Sequence, residues 1–428
     1  MKTIKIFSFL SIVFVLLIGT WLHSQVNPQT SLPTGITKEQ MSAYQIRPTH
    51  LQNIQSDKEV EQVSFNYTRA NNKPMPDAKA TFNSDVFAKK FHAAIKDEVT
   101  GYAMQLRLNG APNHSLYWNW ALTPANGGIG WHLDRRMHVA SVSKLITAIA
   151  MLKLLDEKGI SLDASIINYL PDYWEKGNKI DQVSFRNLLQ HRSGFSTGGS
   201  ASDFGTMKAK VSAGVNEIGK YDYENMNFGL CRILIAVING DINKNYKSPP
   251  FFNFNDEYWD FFTIRAYANY VQTKVFNPAG VAKAGFVPAD FGALAYNFPH
   301  GNLDGWNSGD LSTMSGGVGW RLSVIEVLNV MNHARRKNTI LSANRMQFLL
   351  DNGLGIDQII KTPAGKLYNK NGSWERGSKC ANNLSIEQCV AVFLPNGYEI
   401  VVFVNSRIGM DCKSLRNLVT ETYLDSFQ

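Results

Sequence analysis

Hydrophobic and polar residues change rhythm along this chain. Tyr102, Met104, Leu106 and Leu108 interleave with Ala103, Gln105, Arg107 and Asn109. A period of two is that of a half-buried strand. Residues 110–113 then supply a turn and residues 116–121 the returning strand of a hairpin. A helix is predicted just upstream, starting near Val86. Towards the other end, residues 389–394 and 398–405 are apolar runs joined by Pro395-Asn396-Gly397, a second antiparallel pair. Between about Ser141 and Arg336 the two-residue period is lost, and helices with long loops are expected. Strands from both ends around such a middle predict an α+β fold: an antiparallel sheet flanked by helices, with a largely helical inserted subdomain.

Residues 142–158 contain no Pro or Gly, are rich in Leu, Ile, Ala and Met, and stop at Gly159, a good helix terminator. Ser141 therefore stands at a helix N-terminus, where the helix dipole and unpaired N–H groups favour developing negative charge. Lys144 lies three residues on and shares its face. A serine hydroxyl is a poor nucleophile until a base takes its proton, and a lysine is such a base only when burial or nearby cations lower its pKa. The helix is apolar on nearly every side, so Lys144 is expected to be desolvated. Ser-x-x-Lys is a short pattern that an ordinary buried helix also satisfies. Here it occurs once, at a helix start.

Two further segments carry chemistry. Tyr221-Asp222-Tyr223-Glu224-Asn225 leads into an apolar helical run, with Tyr223 able to relay a proton and Asn225 able to bind a carbonyl and hold Lys144. A loop entering a core helix is the plainer reading of that segment alone. Lys370-Asn371-Gly372-Ser373 precedes the C-terminal strands. A Lys on an edge strand beside a Gly presents a cation and bare backbone to a substrate, and a following N–H can donate to an oxyanion. An exposed strand with a turn would look the same.

Taken together, the three segments resemble the serine beta-lactamase and penicillin-binding protein superfamily, whose Ser-x-x-Lys, second-motif and Lys-Thr-Gly elements occur in this order. The Tyr-x-Asn form is most similar to the class C beta-lactamase, carboxypeptidase and esterase branch. Residues 155–163, 169–171, 183–194, 276–281 and 315–318 extend the resemblance from about Val86 to the C-terminus. It implies that Ser141 is acylated, that Lys144 and Tyr223 share the proton work, and that Asn225 orients the acyl amide. Lys370 would meet a substrate carboxylate or tune Tyr223, and the N–H groups of Ser141 and Ser373, beside Gly372, would form an oxyanion hole. Asn371 departs from the hydroxyl residue usual in Lys-Thr-Gly, which weakens carboxylate recognition. Residues 239–267, aromatic and Asn-rich, look longer than the usual family loop, and substrate choice is expected there. A beta-lactam, a D-amino-acid peptide or an ester all remain open as small-molecule or peptide substrates. So does a non-catalytic relative that binds wall peptides or a partner protein with the same cleft.

Composition narrows the setting. The 428 residues, 44% hydrophobic, suit one large domain or one with an insertion. A net charge of +8 without a dense basic run argues against nucleic acid as a partner. Lys2 and Lys5 precede an apolar run at 6–18 and small or polar residues at 19–24, the pattern of a signal peptide (1–24) cut near Ser24 or Gln25. Trp21 and Leu22 extend that run enough to keep an uncleaved membrane anchor open. Residues 25–84 are polar and broken by prolines, a tether or small module; the resemblance implies that 85–428 form the hydrolase domain, and the N-terminal pattern leads us to expect an exported protein, periplasmic or secreted. The four cysteines, Cys231, Cys380, Cys389 and Cys412, permit disulfides, with Cys380 and Cys389 spaced to staple one hairpin and the pairing open. Neither HExxH nor CxxC occurs, and no metal or cofactor is expected.

Three patterns are expected to be chemically silent. Gly194-Phe195-Ser196-Thr197-Gly198 matches the Gly-x-Ser-x-Gly elbow of alpha/beta-hydrolases, but that elbow needs a preceding strand and a following helix, and residues 184–191 read as a helix. His191 is expected to be a hydrogen-bonded structural residue at that helix end. Ser323-Val324-Ile325-Glu326 reads as a capping box.

Overall fold

In the computed structural model the described residues are 67–198, 201–247, 254–299, 304–378, 380–381 and 384–428. The predicted signal peptide and residues 25–66 lie outside them. Among the described residues, seven strands form one antiparallel sheet in the order β3-β2-β1-β9-β8-β7-β6. The N-terminal part of the chain supplies β1 (Gly101–Leu108), β2 (Ala111–Leu122) and β3 (Ile129–Gly130). A two-residue ladder of β4 (Met137–His138) and β5 (Arg321–Leu322) stands apart. The C-terminal part supplies β6 (Gln358–Thr362), β7 (Gly365–Arg376), β8 (Ser385–Phe393) and β9 (Tyr398–Val404). Strand β9 pairs with β1, so the two ends of the domain meet mid-sheet.

The first hairpin is tighter than the sequence suggests. Asn109 and Gly110 both take positive φ (53° and 83°) and form the turn alone, so β2 already begins at Ala111. Two consecutive left-handed residues give the twist that flanking strands require, and Asn-Gly adopts them readily. Strand β1 is also buried on both faces rather than half-buried. Tyr102, Met104 and Leu106 pack with Phe87, Phe91 and Ile95 of α1 (Ser84–Ile95) and with Leu415, Val419 and Tyr423 of α9 (Leu415–Leu424). On the other face Gln105 and Arg107 are covered too, and they are satisfied there: Arg107 donates to Gln105 Oε1 (2.7 Å) and to Asn329 Oδ1 (2.8 Å). Asn329 belongs to α7 (Val324–Arg335), and paired polar groups tolerate burial that unpaired ones do not.

The helical middle packs on that second face. Helix α2 (Ser143–Lys158) is buried along its first ten residues and ends at Gly159, whose φ of 65° makes the left-handed cap. It is followed by the short α3 (Phe185–Leu189), then α4 (Phe204–Ala213), α5 (Asn225–Asn239) and α6 (Asn255–Val271). After α7 comes α8 (Ala343–Asp351), which leads back to β6. Much of the stretch expected as a long loop, 239–267, is thus helix α6. The capping boxes are present: Ser323 Oγ accepts from Glu326 N–H (3.2 Å) and Glu326 accepts from Ser323 N–H (2.9 Å), and Ser184 pairs with Asn187 in the same way.

The last part of the polar N-terminal region docks on the domain, with Tyr67 donating to Glu421 (3.0 Å) and Arg69 pairing with Glu421 and Asp425. No hairpin staple forms between Cys380 and Cys389. Cys389 is buried on β8 with its thiol on the Val139 carbonyl (2.9 Å), while Cys380 is exposed beyond β7. The neighbour of Cys380 is Cys412, whose thiol is pushed up to about 11 by burial and by its contact with Cys380.

Candidate active site

Ser141 lies in a 3₁₀ turn, Ala140–Val142, immediately before α2. The turn is pinned at both ends: Val139 N–H donates to Trp320 O (2.9 Å), Val142 N–H to Val139 O (3.0 Å), and Trp320 N–H to Ser143 Oγ (3.3 Å). Ala140 carries a positive φ of 44°, a costly geometry for a residue with a β-carbon. It is held there by packing among Leu311, Met314, Val318 and Trp374.

Lys144 is fully buried and points back along the helix to Ser141. Its Nζ lies 3.0 Å from Ser141 Oγ, 2.6 Å from Asn225 Oδ1 and 2.9 Å from the Gly317 carbonyl. Burial first, then the positive charge of Lys370, hold its pKa well below the ordinary lysine value, with Asp357 opposing. Tyr223 donates its hydroxyl to Ser141 Oγ at 2.8 Å. Its ring has Lys144 Nζ 5.0 Å and Lys370 Nζ 5.3 Å from the centroid. The other aromatic neighbour is His191, stacked at 4.3 Å between centroids. Nδ1 of His191 accepts from Glu224 N–H (3.1 Å), and burial with the two lysine charges keeps the ring well below its usual pKa, hence neutral. His191 thereby grips the backbone between Tyr223 and Asn225 and braces the Tyr223 ring.

Strand β7 closes the other side. Its first half is not an edge: β6 pairs with it from Gly365 to Asn369, and the ladder stops one residue before Lys370. Lys370 is buried and bound to Asp357 (2.5 Å), the residue that leads into β6. Gly372 passes against the backbone at Ser141, where a β-carbon would sit 2.5 Å from Val139 O and 3.1 Å from Ser141 N. Ser373, also buried, follows Gly372 on the same strand.

The structure therefore brings Ser141, Lys144, Tyr223, Asn225, Lys370, Gly372 and Ser373 to one place. Ser196 is elsewhere in kind: exposed, in a loop, with no strand before it. Three participants were not singled out as site residues from the sequence. The Gly317 carbonyl belongs to a backbone loop, held by Thr147 donating to Gly316 O (2.6 Å). Asp357 has no motif around it. His138 is buried between Glu387 (3.1 Å) and the N–H of Gly319 (3.1 Å), and so anchors the same loop from the far side.

Residues 87–250, which include Ser141, Lys144, Tyr223 and Asn225, match the family model described as Beta-lactamase. That match covers less than half of the chain and marks a similarity to this family. Solved structures share the fold. D-amino acid amidase from Ochrobactrum anthropi SV3 aligns at a TM-score of 0.57 and 17% identity, over 79% of this chain and 98% of that one. FmtA from Staphylococcus aureus aligns at 0.57 and 15%, over 83% and 91%. The octameric penicillin-binding protein homologue from Pyrococcus abyssi aligns at 0.55 and 16%, over 76% and 72%. What these structures share with the chain is the fold, an antiparallel sheet with flanking helices.

Proposed function

We propose that this chain is an exported serine hydrolase that cleaves an amide or ester through an acyl-enzyme on Ser141, in the branch related to class C beta-lactamases. The observation that carries the reading is the double contact at Ser141 Oγ, with Lys144 Nζ at 3.0 Å and Tyr223 OH at 2.8 Å, around a lysine whose proton is destabilised by burial. Lys144 takes the hydroxyl proton as Ser141 Oγ bonds to the acyl carbon. The N–H groups of Ser141 and Ser373 receive the oxyanion, and the Asn225 amide orients the acyl group. The proton passes through Tyr223 to the leaving nitrogen or oxygen as the scissile bond breaks. Water then attacks the ester and regenerates Ser141. The amidase among the similar structures supports an amide as one acceptable bond. Export rests on the basic-then-apolar N-terminus.

A fluorophosphonate should form an adduct that maps to Ser141. A panel of nitrocefin, D-Ala-D-Ala peptides and short-chain aryl esters should contain at least one substrate. Removal of the nucleophile should lower that turnover by several orders of magnitude. A Ser141→Ala protein that labels and hydrolyses like the wild type would end this reading.

A further inference from the structure

The Lys370 cation is not presented to the cleft as a bare charge. Its Nζ sits 2.5 Å from Asp357 Oδ1, and the other carboxylate oxygen accepts from Asn371 N–H at 2.8 Å. Both side chains are about as buried as any in the core, at 1% and 2% exposure. Asp357 is fixed from its backbone as well, its N–H donating to Asn369 O at 2.9 Å. The carboxylate is thus clamped to β7 at two consecutive positions and belongs to the strand that lines the site. The pair lies close enough to the reacting centre for Lys370 and Asp357 to act in opposite directions on the proton affinity of Lys144. At Asn371 an amide side chain stands where Lys-Thr-Gly carries a hydroxyl.

These facts bear on the charge of the substrate. A substrate carboxylate reaching for Lys370 meets a fixed, buried carboxylate already on it, and two anions sharing one cation in a dry site repel. A neutral carboxamide or ester in the same place meets no such opposition. Resting on the serine-hydrolase reading, we propose that Asp357 is a specificity-determining residue that restricts this site to acyl donors without a carboxylate on the Lys370 side of the scissile bond.

The test uses two esters of one acyl group, phenylacetyl, differing only in the leaving phenol: m-carboxyphenol or m-carbamoylphenol. Wild-type protein is expected to favour the carbamoyl ester in kcat/KM by about 10-fold or more, because like-charge juxtaposition is strongly disfavoured. D357N is expected to narrow that ratio by about 10-fold, chiefly by faster turnover of the carboxyl ester. Equal or better turnover of the carboxyl ester by the wild type overturns the proposal, as does an unchanged ratio in folded D357N. Should D357N not fold, the wild-type ratio still decides. If Ser141 labels with fluorophosphonate but neither ester turns over, each is tested as a competitor of labelling, and equal protection by the two overturns the proposal. Absence of labelling at Ser141 instead marks failure of the serine-hydrolase reading.

Discussion

A neutral lysine amine has two hydrogens and one lone pair, and the surroundings of Lys144 sort them. Asn225 Oδ1 and the Gly317 carbonyl are acceptors only, so they take the two N–H bonds. The third contact, to Ser141 Oγ, then falls to the lone pair, which is the arrangement of a base facing its acid. Because burial and Lys370 depress the Lys144 pKa, the base form is populated below the usual lysine range. Activity should rise with pH as Lys144 loses its proton, with the inflection of kcat/KM well under the ordinary lysine value. Lys370→Met removes a charge that lowers this pKa and leaves Asp357, which raises it, so the inflection should move to higher pH. A profile that stays put or moves down would contradict the electrostatics. Lys144→Arg keeps the charge but has no accessible base form, and kcat/KM should fall by about 10²–10⁴-fold with the fold retained.

At the scale of elements, the question is how β7 comes so near the start of α2. Gly372 answers it, since any β-carbon there collides with Val139 O. Gly372→Ala should push the strand from the turn that carries Ser141, cutting fluorophosphonate labelling by about 10²-fold and stability by ~1–3 kcal/mol, the range of overpacking. Gly285→Ala, where a β-carbon meets nothing within 4 Å, is the control and should leave both unchanged. The same contrast separates what sequence reading reaches from what it misses. Helix α2, its glycine cap and the Ser141–Lys144 spacing follow from local rules, and so do the C-terminal strands, whose apolar runs are continuous. Burial of β1 on both faces was not legible, because Gln105 and Arg107 look solvent-facing until Asn329 arrives from a helix far along the chain. Asp357 was invisible for the same reason: its meaning comes from a lysine on the neighbouring strand, and no local pattern encodes that register. The suggested Cys380–Cys389 staple failed because spacing alone does not tell that one thiol faces the core and the other the surface.

Over the whole molecule, the site is an intersection of parts that fold from opposite ends. The sheet brings β7, and the helical layer brings Ser141 at the head of α2 and Tyr223 with Asn225 at the head of α5. The two cores lie on opposite faces of the sheet, so the site depends on the helical layer staying seated. Arg232 and Asp260 lock that layer: the pair joins α5 to α6 at 2.7 Å with both side chains essentially inaccessible, and Arg232 also donates to Thr313 O at 3.1 Å. A buried pair of this kind contributes modestly against an apolar substitute, yet breaking it strands a charge. Arg232→Met should therefore lower stability to urea by ~3–5 kcal/mol, whereas Arg232→Met with Asp260→Leu should recover most of the loss. Both variants leave the residues around Ser141 unchanged. Labelling of Ser141 by a fluorophosphonate should then follow the fraction folded in each, falling along the same urea transition that far-UV circular dichroism reports. Labelling lost well before the helical signal would mean that the head of α5 detaches on its own, and that Arg232 does not couple the site to the layer behind it.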